Sequence, residues 1–116
     1  MTQSRDIAAL LRSFDENYDP LHVDITPSVL KMIDLGLDGA EAVLELLNSN
    51  HPLSRRRARR VVEGVAFRHY GAGAETRARR AIAENGYDPD AAEPERRAAM
   101  ERWRRWLEQQ KGERND

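Results

Sequence analysis

The helical spacing of apolar side chains is the sequence feature that most constrains the fold. Apolar residues recur three and four positions apart in every periodic segment, and no segment alternates apolar and polar residues as a strand does. No apolar run approaches the roughly 20 residues that a membrane-spanning helix needs. The sequence therefore predicts an all-α protein of about six helices in antiparallel pairs, as a short α-solenoid or an orthogonal bundle.

Capping and turn residues divide the chain into these helices. Thr26 is a predicted N-cap before Pro27, and Gly36 suits the left-handed position after a C-terminus. Asp38 and Glu41 have the spacing of a capping box, which predicts that the next helix opens at Asp38. The predicted helices run from Thr2 or Ser4 to Phe14, from Pro27 to Gly36, and over 38–48, 52–70, 75–85 and 95–110. We expect one domain over 1–110, with a C-terminal helical pair at 75–110, and a polar tail at 111–116.

The periodicity also predicts which side chains face the core. In the second helix these are Val29, Leu30 and Ile33. In the fourth helix, the side chains predicted to face the core all lie on one face. The members of that face are Ala58, Val61, Val62, Val65, Ala66 and His69. Trp103 and Trp106 are predicted to seal the end of the core. The alternative is an apolar contact surface for a partner, formed by Phe67, Trp103 and Trp106.

Residues 39–48, a turn and residues 53–64 together resemble a HEAT repeat. That family pairs a leucine-rich helix with a second helix that opens with an arginine and a buried alanine, and Arg55 and Ala58 match these two positions. Ser54 stands where the family usually has valine, and the turn lacks an aspartate. The resemblance covers 39–66 and implies a binding module built by stacking helical pairs, with the 15–25 loop and the Trp103/Trp106 helix as caps.

Charge is distributed unevenly along the chain. Residues 1–50 carry a net charge of −6, residues 51–80 of +7 and residues 81–116 of −2, and 17 of the 19 basic residues are arginine. One interpretation is that the arginines pair with the acidic first half, with Asp34, Glu41 and Glu45 as candidates. The other is a surface for phosphates or for an acidic protein. The candidate contacts are Arg56, Arg60, Arg77, Arg79 and Arg80.

Residues typical of catalytic and metal sites are scarce. The chain has no cysteine, which excludes disulfides and thiolate ligands, and its three histidines lack the spacing of metal ligands. His22 lies near Asp19 and Asp24, but this sequence neighbourhood alone does not indicate a metal site. His69 is predicted to be a core histidine that bonds to the backbone. We expect no catalytic residues, no cofactor and no metal.

These observations favour a non-enzymatic, HEAT-like module that binds another protein, with homodimerisation left open. Nucleic-acid binding through the arginines of 55–60 and 77–80 is the alternative. The N-terminal residues lack the pattern of a signal peptide, and the absence of cysteine suits a reducing compartment, so we expect a cytoplasmic location without membrane association.

Overall fold

The computed structural model of this chain describes residues 2–12, 14 and 25–114. In these ranges the secondary structure is helical, with no strand, which confirms the all-α prediction. The helices are α1 (Thr2–Arg12), α2 (Pro27–Asp34), α3 (Leu37–Val43), α4 (Pro52–Tyr70), α5 (Glu75–Asn85) and α6 (Glu93–Arg114), and a 3-10 helix (Leu44–Asn48) continues α3.

Local signals place several helix boundaries as predicted. The Thr26 hydroxyl accepts a hydrogen bond from the Val29 amide at 3.2 Å, and Pro27 opens α2. Helix α4 begins at Pro52, and α5 ends before Gly86, which has φ +57°. Two predictions fail. Helix α3 begins at Leu37 without a side-chain cap, so the Asp38 capping box is wrong, and α6 continues past Gln110 to Arg114.

Helix α4 forms the centre of the fold. It packs against α2, α3, the 3-10 helix and α5, while α6 covers α3, the 3-10 helix and α5. The five predicted apolar residues of its inner face are all buried: Ala58, Val61, Val62, Val65 and Ala66. They join Val29, Met32, Leu47 and Trp103 in one continuous core. Among the described residues, no helix is both long and apolar enough to cross a bilayer.

The predicted cap at residues 15–25 lies outside the described residues except for Ile25. His22, Asp19 and Asp24 also lie outside them. In the other predicted cap, Trp103 is 1% and Trp106 7% exposed, and their rings meet edge to face with centroids 5.2 Å apart. This burial confirms that the two tryptophans are core residues.

Candidate functional site

Two arginines of α4 point into the protein. Arg57 is fully buried, and its Nη1 donates a 2.6 Å hydrogen bond to the Phe14 carbonyl oxygen. Arg55 donates from Nε to the Pro89 carbonyl and from Nη1 to the Ser49 carbonyl, both at 2.8 Å. Arg57 was not among the residues predicted from the sequence to face the core. Its spacing to Val61 and Val65 is the signal that could have placed it inside.

Two other arginines of α4 point outward. Arg56 and Arg60 are exposed, and neither forms an ion pair with a carboxylate of the described residues. They lie one helical turn apart and continue along the same side of α4 through Glu63 and Phe67. We call these four residues the outer stripe.

The outer stripe borders a groove between α2 and α4. Ile25, Leu30 and Phe67 line it together with Arg60 and Glu63, and its volume is about 230 Å³. Leu30 is 52% exposed, Ile25 39% and Phe67 37%. These are three of the four large apolar residues that are exposed in the described part of the chain. This cluster of partly exposed apolar residues is therefore a candidate contact surface.

The prediction that Leu30 faces the core is wrong, because its side chain is exposed. Val29 is buried as predicted, Met32 is buried as well, and Ile33 lies against Gly64. A Cβ at Gly64 would lie 2.7 Å from the Ile33 Cδ1 atom, so the glycine lets α2 approach α4 closely. This approach fixes the rotation of α2, and Leu30 is left on the open side, at the groove. Ile25, which precedes the helix, was not predicted as a site residue.

Glu63 is the acidic residue that lines the groove. Burial raises the pKa of its carboxyl group, and the charges of Arg59 and Arg60 oppose that shift. Glu63 thus places one carboxyl group beside Arg60 on the α4 wall of the groove.

The predicted contacts Arg77, Arg79 and Arg80 are exposed on α5 and form no ion pair with described carboxylates. The Arg77 guanidinium lies over the Tyr70 ring, 4.9 Å from its centroid. Arg77 and Arg80 line a polar cleft of about 260 Å³ near Trp106. Glu84, Gln110 and Glu113 also line this cleft. Its walls thus carry charges of both signs.

The aromatic residues around this cleft belong to the fold. The Trp106 indole N–H donates to the Tyr70 hydroxyl at 3.1 Å, and Trp103 lies behind it in the core. Of the three predicted apolar contacts, only Phe67 presents an exposed ring. His69 is exposed, and its Nε2 lies 2.8 Å from the Gln110 Oε1 atom. The prediction of a core histidine bonded to the backbone is therefore wrong.

Of the three predicted acidic partners, Asp34 pairs with an arginine of residues 51–80 as predicted, whereas Glu41 and Glu45 pair with α6. Asp34 pairs with Arg68, Glu45 with Arg104 at 2.7 Å, and Glu41 with Lys111 at 2.8 Å. None of these three carboxylates neutralises an arginine of 55–60, so that part of the prediction is wrong. The pairs instead join α2 to α4 and the α3 region to α6.

The described residues hold no group of three or more histidine, aspartate and glutamate side chains that could bind a metal ion. No protein-family model, curated protein or solved structure matches this chain. The HEAT resemblance of residues 39–66 therefore stays a prediction.

Proposed function

We propose that this chain is a non-enzymatic, HEAT-like cytoplasmic module that binds another protein through the α2/α4 groove. The observation that carries the proposal is the clustering of Ile25, Leu30 and Phe67 in one groove. Single exposed apolar residues are normal on a soluble protein, but a cluster between two helices is typical of a docking surface.

Burial elsewhere strengthens this assignment. Both tryptophans lie in the core, so they do not compete with the groove as an apolar contact surface. Arg55 and Arg57 bond to backbone carbonyls, so they act in the fold. What the long helix offers to a partner is its outer stripe, with Arg56 and Arg60 at one end and Phe67 at the other.

Photo-crosslinking in cells tests the proposal. The full chain would carry benzoylphenylalanine in place of Phe67, and the control would carry it in place of Ala83, which is exposed on α5. We expect a discrete protein adduct from position 67 that the additional Leu30→Ser change removes. An adduct of twice the chain's mass would identify the partner as a second copy. Equal labelling from positions 67 and 83 would contradict the proposal.

Nucleic-acid binding is the second candidate. It is favoured by five exposed arginines without ion pairs to described carboxylates: Arg56, Arg60, Arg77, Arg79 and Arg80. Glu63 interrupts this basic surface. Glu75 lies close to Arg79: backbone hydrogen bonds have the largest effect in lowering the pKa of Glu75, and the positive charge of Arg79 lowers it further. Phosphate contacts predict binding to arbitrary DNA that weakens steeply with salt. A chain that binds no DNA at low salt rules this candidate out.

A further inference from the structure

We propose that the occupant of the α2/α4 groove is an acidic amphipathic helix of a partner protein. This inference rests on the proposed function and adds the chemistry of the partner. The size of the groove, the two helices that form it and the charges at its rim support this partner.

The size of the groove favours an anchoring side chain over a small molecule. Its volume of about 230 Å³ lies below the roughly 300–1,000 Å³ typical of pockets for small ligands. Such a space holds one or two large apolar side chains. Leu30 and Phe67 on opposite walls would contact them, and Ile25 would lie at the α2 end of the groove.

The shape of the groove favours a helix as the ligand. Two helices form its walls, and Gly64 lets them come close at the floor, where a Cβ would meet Ile33. An open trough of this kind accepts an amphipathic helix that inserts residues spaced three or four positions apart. Helix α2 carries two charged residues, Lys31 and Asp34. Asp34 pairs with Arg68 of α4, and this ion pair joins the two helices that form the groove.

The charges at the rim select the sign of the ligand. Arg56 and Arg60 extend the outer stripe beyond the apolar residues, and described carboxylates do not neutralise them through ion pairs. Glu63 lies between Arg60 and Phe67, so the outer stripe carries two guanidinium groups and one carboxyl group. Carboxylates of a bound helix would therefore meet two guanidinium groups, which bind carboxylates in a bidentate geometry.

A peptide selection tests this inference and does not require an identified partner. The full chain would be the target for a phage-displayed library of helical peptides with random sequence. We expect enriched peptides with apolar residues at helical spacing and a net negative charge. Each enriched peptide would then be measured by fluorescence anisotropy against the wild-type chain and its variants.

Charge exchange provides the decisive comparison. Arg56→Glu combined with Arg60→Glu should weaken an enriched peptide by about tenfold or more, and replacing the glutamates of that peptide by lysine should restore affinity for the variant. The matched control is Arg79→Glu with Arg80→Glu, which changes the net charge equally on α5 and should leave affinity within about twofold. Unchanged urea unfolding would show that each variant is folded.

The other outcomes separate this inference from the proposed function. Neutral or basic peptides that lose affinity on Leu30→Ser would overturn the acidic helix and leave the groove as a protein-binding site. Failure to enrich any peptide sensitive to Leu30→Ser would overturn both. DNA that binds the chain and loses affinity on the Arg56/Arg60 reversal, with no enriched peptide, would assign the outer arginines to nucleic acid instead.

Discussion

Helices α4 and α6 are both rich in arginine, but α4 places two exposed arginines without an ion pair one turn apart, whereas α6 leaves Arg105 by itself among its described side chains. In α6, Arg102 donates to the Asn85 carbonyl, Arg96 to the Ala91 carbonyl, and Arg104 pairs with Glu45. In α4, Arg57 is just as engaged, yet Arg56 and Arg60 extend from the outer face without an ion pair to a described carboxylate. Whether an arginine of these helices is paired or exposed therefore depends on the elements that face it and not on the arginine content of its helix.

The largest effect we predict separates two adjacent arginines of α4. Arg57→Ala removes a buried hydrogen bond to the Phe14 carbonyl and leaves a cavity, so the unfolding free energy should fall by about 3 kcal/mol. Arg56→Ala, on the exposed face, should change it by less than about 0.5 kcal/mol. Urea unfolding measures both. Equal losses would erase the distinction between the inner and outer arginines.

An intermediate effect concerns residues 86–92, which connect α5 to α6. Arg55 donates a hydrogen bond to the Pro89 carbonyl in this connector, and Tyr87 of the connector bonds to the 3-10 helix. The Tyr87 hydroxyl donates to the Leu47 carbonyl, so Tyr87→Phe should lower the unfolding free energy by about 1 kcal/mol. Phe67→Tyr, which adds a hydroxyl at the exposed groove, is the control and should be nearly neutral.

Tyr87 also predicts a dependence on pH. Burial raises its pKa to about 12, partly opposed by the charges of Arg55, Arg96 and Arg59. The folded chain therefore keeps this proton where the unfolded chain, with a tyrosine pKa near 10, releases it. Stability from Tyr87 should be complete below pH 10 and decline as pH rises toward 12. In Tyr87→Phe this alkaline decline should be reduced, and an unchanged decline would contradict the assignment.

The smallest effect concerns the ion pairs of α6. Lys111 Nζ lies 3.1 Å from an Asp38 oxygen and 2.8 Å from a Glu41 oxygen, near the surface. Lys111→Met should cost about 0.5 kcal/mol at low salt and less at high salt, since exposed ion pairs are weak and screened. Arg105→Met, at an exposed position of α6, is the control. A large loss that does not depend on salt would show that the α6 contacts act mainly through packing.

Features that depend on neighbouring residues in the chain were predictable from the sequence. The Thr26 cap, the start of α4 at Pro52 and the inner face around Val61 all follow from local chemistry and helical spacing. The exposure of Leu30 could not be predicted, because α2 spans only Pro27–Asp34 and its closely spaced apolar residues suit several rotations. The approach of Ile33 to Gly64 selects one of them, and that contact joins residues far apart in the sequence.

The ion-pair partners of the charged residues could not be predicted from the sequence either. Segment charges of −6 and +7 predicted pairing between the halves, but segment sums carry no information about distance. Glu41 and Glu45 lie against α6, so their partners are Lys111 and Arg104. The outer arginines could be chosen as candidates from helical spacing, while the groove beside them was found only from the packing of α2.

Amide chemical-shift mapping with an enriched acidic peptide tests the central claim most directly. The isotope-labelled full chain would be titrated with the peptide, with the Leu30→Ser chain as a control. We predict that the largest shifts fall in residues 25–33 and 56–67 and that the control shows almost none. Shifts concentrated around 77–84 and 106–113, at the polar cleft, would contradict the assignment of the binding surface to the α2/α4 groove.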